Sequence, residues 1–327
     1  MTWTDQNIVF LISLPRSGST LLQRILAAHP DVHTSPESWL LLPQLYAMRQ
    51  GSVFSEYAHT TAAAAISEFC SHLEGGEDAY YRRVGELAVR LFADVSPPER
   101  RYYLEKTPRN NLVLDELLRA FPQSRIIFLW RNPLACAASI IETFGKGRWN
   151  LFKSAVDLYD GLDNMTCAAR DYPDRIKAIQ YESLLKAPDE TIDELLAYLD
   201  LPVAEQLSEQ FASIQLAGRM GDPSGTREYS SLSQAPLEKW KETFAGMARQ
   251  RWARRYLEWI GPERLEVMRY SHADLETELE SIPTRWAGTG SDLALMGYGY
   301  LERNLQLKFA RYLVRTRKQK RVRRRYF

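Results

Sequence analysis

A chain of 327 residues, 45% hydrophobic and 25% charged, has the composition of a folded globular protein and the length of one large α/β domain or two ordinary ones. Its formal net charge of +1 excludes nucleic-acid binding over the whole surface, yet hides an asymmetry: residues 311–325 hold nine Lys or Arg and no acid. Cys70, Cys136 and Cys167 are too few and too scattered for a disulfide framework or a zinc site, which fits a reducing compartment.

Residues 1–7 are polar and the apolar run that follows, 8–14, is short. With no basic n-region and no window near the length of a bilayer span, the expectation is a cytoplasmic chain, neither secreted by the usual route nor integral to a membrane.

The first element reads as a buried strand over Ile8–Ser13, bounded by Pro15. A small-residue turn follows, Arg16-Ser17-Gly18-Ser19, and then a helical pattern over residues 20–28, with Leu21, Leu22, Ile25 and Leu26 at helical spacing and His29-Pro30 as its stop. Strand, tight turn, helix opens a parallel α/β unit. Residues 44–100 are helix-rich, clearest at 62–65 and 86–92, and are expected to form a helical subdomain or lid. A second strand spans Arg125–Trp130, followed by Arg131-Asn132-Pro133 and a helix over 134–144. A third spans Ile176–Gln180, followed by Tyr181-Glu182 and a helix over Pro188–Leu199. Polar residues at all three strand ends imply one crevice, because open parallel sheets bind ligands at that edge. Residues 220–226 read as a loop, with helices carrying Trp240, Trp252 and Trp259 beyond it. The chain divides into a domain over 1–282 and a C-terminal extension over 283–327 that ends in the basic tail.

The turn after the first strand holds the first site. Glycine lets the backbone turn tightly, and consecutive N–H groups at a helix N-terminus cradle an anion. Ser17, Ser19 and Thr20 add hydroxyls and Arg16 adds fixed charge. A serine-capped turn would look similar, but capping gives no reason for the arginine. The loop differs from the nucleotide-triphosphatase pattern GxxxxGK, since it lacks the first glycine and its basic residue precedes Gly18. A nucleotide kinase also wants an acid at a strand end for Mg²⁺. The second strand ends in Arg131 instead, which suits another phosphate.

Taken in order, these motifs resemble those of sulfotransferases that use 3′-phosphoadenosine-5′-phosphosulfate (PAPS). Pro15-Arg16-Ser17-Gly18-Ser19-Thr20-Leu21 resembles their 5′-phosphosulfate loop. Arg131-Asn132-Pro133, with Ser139 eight residues beyond Arg131, resembles their 3′-phosphate element. Tyr181-Glu182-Ser183-Leu184 resembles an element whose tyrosine lies near the adenine. The resemblance covers roughly residues 7–260. It implies an α/β, P-loop-like three-layer fold with a central parallel sheet, a helical insertion and a helical C-terminal extension. PAPS carries charge at two separated places, and two anion sites on neighbouring strand ends suit it. Arg131 offers a two-pronged contact to a phosphate and Ser139 a further hydrogen bond.

Sulfuryl transfer needs a base for the acceptor oxygen and cations for the transferring group. The segment His33-Thr34-Ser35-Pro36-Glu37-Ser38-Trp39-Leu40 resembles the one that carries a catalytic glutamate in tyrosylprotein sulfotransferases and in sulfotransferase domains of some bacterial polyketide synthases, so Glu37 is the expected base. A carboxylate after proline is more commonly an exposed loop or cap residue. Animal cytosolic sulfotransferases use a histidine just after a lysine. Here the comparable stretch is Glu105-Lys106-Thr107-Pro108-Arg109-Asn110, without histidine, which leaves His33 in reserve. Lys106 is expected either to contact the transferring group or to be an ordinary surface lysine. Arg227, in the loop from Gly221, and Lys239 are expected to add charge where the family closes over the nucleotide. The other histidines have no metal-binding spacing and read as solvent or cap residues, so no metal is expected.

The acceptor is expected to be a hydroxyl on a small molecule, glycan, peptide or carrier-bound chain. The basic tail reads as a solvated end, with an acidic protein or anionic membrane as possible partners and no specific nucleic acid. Two other readings stay open: an ATP- and Mg²⁺-dependent phosphotransferase, and a catalytically silent nucleotide-binding protein.

Overall fold

The computed structural model describes residues 2–51, 53–55, 57–204, 206–214, 216 and 237–305. Five parallel strands form one sheet: β1 Ile8–Ser13, β2 Val32–Thr34, β3 Tyr102–Glu105, β4 Arg125–Trp130 and β5 Ile176–Gln180, in the order β2-β3-β1-β4-β5. β1 and β4 pair from Val9↔Arg125 to Ser13↔Leu129, and every residue of β1 is buried. Such continuous apolar runs belong to strands covered on both faces.

The helices used below are α1 Ser19–Ala27, α2 Leu41–Leu45, α3 His59–Ser71, α4 Gly76–Val95, α5 Leu114–Ala120, α6 Pro133–Gly145, α7 Leu162–Asp171, α8 Tyr181–Lys186 and α9 Pro188–Leu199. One face of the sheet packs Val9, Leu11, Ile127 and Leu129 against Leu21, Leu22, Ile25 and Leu26 of α1 and Leu195, Leu196 and Leu199 of α9. The other packs Phe10, Ile12, Ile126 and Phe128 against α4, α5, α6 and α7. The result is three layers, helix–sheet–helix. The chain runs from β1 out to the β2 edge, returns to β3, and then crosses to β4. The loops after β1 and β4 therefore diverge, and that divergence makes the crevice.

The structure adds three features to the sequence reading. β2 and β3 are extra strands, only three and four residues long. α4 is not a lid: it lies on the path from β2 to β3 and sinks Val84, Ala88, Val89 and Phe92 into the core. Its Gly85 meets α5 so closely that an added Cβ would sit 2.1 Å from the Ala120 carbonyl oxygen. Finally, the helix Thr289–Asn304 is tied to the body through Asp292, which holds Arg249 in a 2.7 Å ion pair.

Among the described residues, no helix is long and apolar enough to cross a membrane. The basic tail and residues 220–226 lie outside the described residues.

Candidate active site

The C-terminal edge of the sheet gathers all three motifs. After β1 the backbone turns through two left-handed residues, Arg16 (φ 68°) and Gly18 (φ 91°). A non-glycine residue there is uncommon and strained, and alternation of this kind turns successive N–H groups into one concavity. Gly18 then starts α1, where the Leu22 N–H already bonds the Gly18 carbonyl at 3.2 Å. The preceding N–H groups, from Ser19 to Leu21, have no acceptor within the helix and point to its N-terminal end.

Gly18 is required by packing as well as by its dihedral angles: a Cβ built there would lie 2.3 Å from Cε2 of Tyr181. The buried Tyr181 ring lies under the Arg131 guanidinium, 4.5 Å from its centroid. Arg131 Nη1 donates to the Arg16 carbonyl at 2.8 Å, and Arg16 Nε donates to Ser139 Oγ on α6 at 3.3 Å. The three motifs are thus in contact with one another. Arg131 also has packing reasons for its place, which the sequence did not reveal.

The residues around this stack are placed by caps. Asn132 caps α6, accepting from the N–H groups of Leu134 and Ala135, with Pro133 in the first helical turn. Glu182 accepts from the Asn132 N–H at 3.0 Å and from the Tyr270 hydroxyl at 2.5 Å, which fixes the ends of β4 and β5 together. Burial and the Glu182 carboxylate push the Tyr270 phenol well above its usual pKa, so it stays a donor.

Two residues of the loop depart from expectation. Ser17 is buried; its N–H bonds the Leu14 carbonyl at 3.3 Å and its hydroxyl meets Cys136 Sγ at 3.2 Å. It shapes the loop from within and does not line the cleft. Burial raises the Cys136 thiol to about 11, so it remains a thiol beside Ser17. The Leu21 side chain belongs to the core, leaving only its N–H for a ligand.

The other half of the site comes from β2 and β3. These strands pair up to Thr34↔Leu104, so the chain leaving each one emerges beside the other. Gln23 of α1 donates to Thr34 Oγ1 at 2.8 Å and to the Ser35 carbonyl at 2.9 Å, tying the segment that holds Glu37 to the phosphate-loop helix. Lys106 Nζ bonds Glu37 Oε1 at 2.8 Å, with the two side chains 2% and 12% exposed. Lys106 is therefore not a surface lysine. Trp39 Nε1 donates to the other carboxylate oxygen of Glu37 at 3.2 Å.

A cleft of about 320 Å³ opens between the halves, lined by Arg16, Gly18, Ser19 and Thr20 on one side and Glu37, Trp39 and Lys106 on the other. Four further residues border it that were not among the expected catalytic or nucleotide-binding residues: Arg109, Phe144, Ser154 and Asp157. Arg109 pairs with the buried Asp157 at 3.3 Å and stands over the Trp39 ring, 5.9 Å from its centroid. Asp157 opens a π-helical turn, a feature common at functional sites. Arg109 lies three residues after Lys106 in a stretch already singled out; Asp157 carries no sequence signal.

The remaining candidates lie elsewhere. Lys239 is exposed and does not line the cleft, and Arg227 lies outside the described residues. His33 sits on β2 beside Tyr103 and does not border the cleft; burial, and then Arg100, lower its pKa. His29 and His59 are buried and bonded to the carbonyls of Pro202 and Arg49, where solvent or cap roles were expected. Among the described residues, no group of three or more His, Cys, Asp or Glu side chains is arranged to hold a metal ion.

Comparison with known proteins gives the family. The model of the Sulfotransferase family matches residues 8–205. The nodulation protein NoeE of Sinorhizobium fredii is 35% identical over 145 residues, which cover 42% of this chain and 32% of that protein. The match thus spans about a third of NoeE. A putative protein-tyrosine sulfotransferase of Caenorhabditis briggsae is 25% identical over 255 residues, 73% of this chain and 82% of the relative. Among solved structures, the sulfotransferase domain of the Synechococcus PCC 7002 olefin synthase superposes with a TM-score of 0.50 at 22% identity, over 74% of this chain and 91% of that domain. That last likeness is one of fold.

Proposed function

The chain belongs to the sulfotransferase family, and from that premise we propose that it moves a sulfuryl group from PAPS to an acceptor hydroxyl, with Glu37 as the general base. The observation that carries this reading is the meeting of two built halves across one cleft: an anion cradle locked by Arg131 and Tyr181, and a carboxylate–lysine pair facing it.

PAPS supplies the sulfuryl group and leaves as adenosine 3′,5′-bisphosphate. The backbone N–H groups at the start of α1, with Ser19, Thr20 and Arg16, suit the 5′-phosphosulfate. Arg131 and Ser139 suit the 3′-phosphate, and Tyr181 an adenine nearby. Arg227 and Lys239 are assigned here to closure over the nucleotide. In the transfer, the acceptor oxygen forms a bond to sulfur in line with the bond from sulfur to the 5′-phosphate oxygen, which breaks. The proton of the hydroxyl passes to Glu37. Trp39 and Lys106 hold the carboxylate in one orientation, and Lys106 also stands close enough to the cleft to meet negative charge on the transferring group.

The acceptor side has a shape of its own. An apolar cavity of about 620 Å³ adjoins the cleft through Trp39 and Arg109 and is walled by Leu42, Tyr46, Phe54 and Tyr57. That lining favours an acceptor whose body is aromatic or aliphatic over a sugar. The test is transfer of sulfur label from PAPS to pooled phenolic, aliphatic, peptide and glycan hydroxyls. Label on apolar hydroxyls with wild-type protein, and none with Glu37→Gln, supports the reading. Equal labelling by Glu37→Gln would refute the role of Glu37.

A further inference from the structure

Glu105, the last residue of β3, is a carboxyl only 2% exposed that no step of the proposed transfer uses. A carboxyl this deep is costly unless its oxygens are bonded, and the bonds it makes lead to the base. Ser38 Oγ donates to Glu105 Oε1 at 3.0 Å, and Thr107 Oγ1 donates to the same oxygen at 2.7 Å. Each hydroxyl in turn accepts from a backbone N–H: Ser38 Oγ from Leu40 at 3.2 Å, and Thr107 Oγ1 from Trp39 at 3.4 Å. A hydroxyl has one proton to give, so an accepting oxygen fixes its direction and leaves its lone pairs for the N–H groups.

Those two N–H groups belong to the peptide planes on either side of Trp39. Trp39 lies in the left-handed region, at φ 52°, where a bulky side chain persists only if its surroundings hold it. From that turn its Nε1 reaches Glu37 Oε2 at 3.2 Å, while Lys106 Nζ bonds Glu37 Oε1 at 2.8 Å. Two consecutive residues, Glu105 and Lys106, thus serve both oxygens of one carboxylate. Lys106 does so directly; Glu105 does so through two hydroxyls, a strained turn and an indole. Burial raises the Glu105 pKa, and the arrangement needs only an accepting oxygen there, not a charge.

We infer that Glu105 is the positioning residue of the general base, an inference that rests on Glu37 being that base. Glu105 does not border the cleft. It acts by freezing the Trp39 turn, so that the Glu37 carboxylate meets the acceptor hydroxyl in one orientation.

The test is transfer of sulfur label from PAPS to the best-labelled acceptor of the pool above, by Glu105→Leu and Glu105→Gln. Glu105→Leu is expected to lower kcat by about tenfold to a hundredfold, while the acceptor KM and the affinity for adenosine 3′,5′-bisphosphate stay within about threefold. Glu105→Gln keeps an accepting oxygen and is expected to regain most of that loss. In a Glu37→Gln background, Glu105→Leu is expected to change the residual rate by less than about twofold, because a residue that acts through the base has nothing left to act on. Should Glu105→Leu fail to fold, Ser38→Ala with Thr107→Val cuts the same link at the hydroxyls and is expected to lower kcat by a similar factor. Wild-type kcat in Glu105→Leu or in that double variant, with Glu37→Gln impaired, overturns the inference and leaves the base standing. So does a full further loss in the Glu37→Gln background, a fall in nucleotide affinity that matches the fall in kcat, or failure of Glu105→Gln to regain activity. Wild-type transfer by Glu37→Gln would refute the base itself, and the inference with it.

Discussion

The two halves of the cleft are built on different principles. On the β1–β4–β5 side, Gly18, Tyr181, Arg131 and Arg16 interlock through ring packing, a cation–π contact and a side-chain bond to backbone, so the cradle exists before any ligand arrives. On the β2–β3 side, the functional groups are held by charge: Glu37 with Lys106, and Asp157 with Arg109. The first half is a rigid receptor for fixed anions. The second is a pair of ion pairs at the cleft wall. The proposed roles put binding on one side and chemistry on the other, and substitutions on each side should separate them in measurement.

Glu37→Gln gives the widest separation. It is expected to lower kcat by about 10²–10⁴-fold, while affinity for adenosine 3′,5′-bisphosphate, read by calorimetry, stays within about threefold. Equal loss of both would merge the halves. Arg131→Ala is expected to do the reverse, weakening that nucleotide by about tenfold to a hundredfold through loss of a charge-assisted bond. Arg131→Lys should recover part of it at most, because an ammonium lacks the planar fork. Gly18→Ala tests whether the receptor side is rigid. With φ at 91° and the Tyr181 ring 2.3 Å from the new Cβ, about 1–3 kcal/mol of stability should be lost in denaturant unfolding. A neutral result would mean that the tyrosine yields freely.

The smallest effect concerns Glu105, at the end of β3. Burial raises its pKa, while bonds from Thr107 and Ser38 and the nearby Lys106 work against the rise. A carboxyl with a raised folded pKa contributes stability that is complete below its unfolded pKa and is lost as pH climbs through the folded one. Glu105→Gln removes that titration. The variant's melting temperature relative to wild type should therefore improve from pH 4 to pH 8. A gap that does not change with pH would show that Glu105 is charged in the fold.

The same contrast explains what could be read from sequence. β1 and β4 stand out because strands buried on both faces are runs of Ile, Val, Leu and Phe, whereas β5, Ile-Lys-Ala-Ile-Gln, is only partly buried; each of the three is followed by a motif that the resemblance picks out. β2 and β3 do not stand out: Val-His-Thr and Tyr-Tyr-Leu-Glu are short and half polar, and a parallel pair is made by residues about seventy apart. The resemblance named Glu37, but the burial of Lys106 depends on that unseen pair. Asp157 was invisible for the same reason, since its meaning comes from Arg109, 48 positions away. Ser17 shows the opposite case: its motif position suggests a ligand contact, while packing against Cys136 turns its hydroxyl inward.

The central claim is that the cradle locked by Arg131 takes PAPS and that transfer is carried out across the cleft, beside Glu37. The most direct measurement is calorimetric titration of adenosine 3′,5′-bisphosphate into wild type, Glu37→Gln and Arg131→Ala. Tight binding by the first two and at least about tenfold weaker binding by the third is the expected result. No heat with wild-type protein at millimolar nucleotide, or undiminished binding by Arg131→Ala, would contradict it.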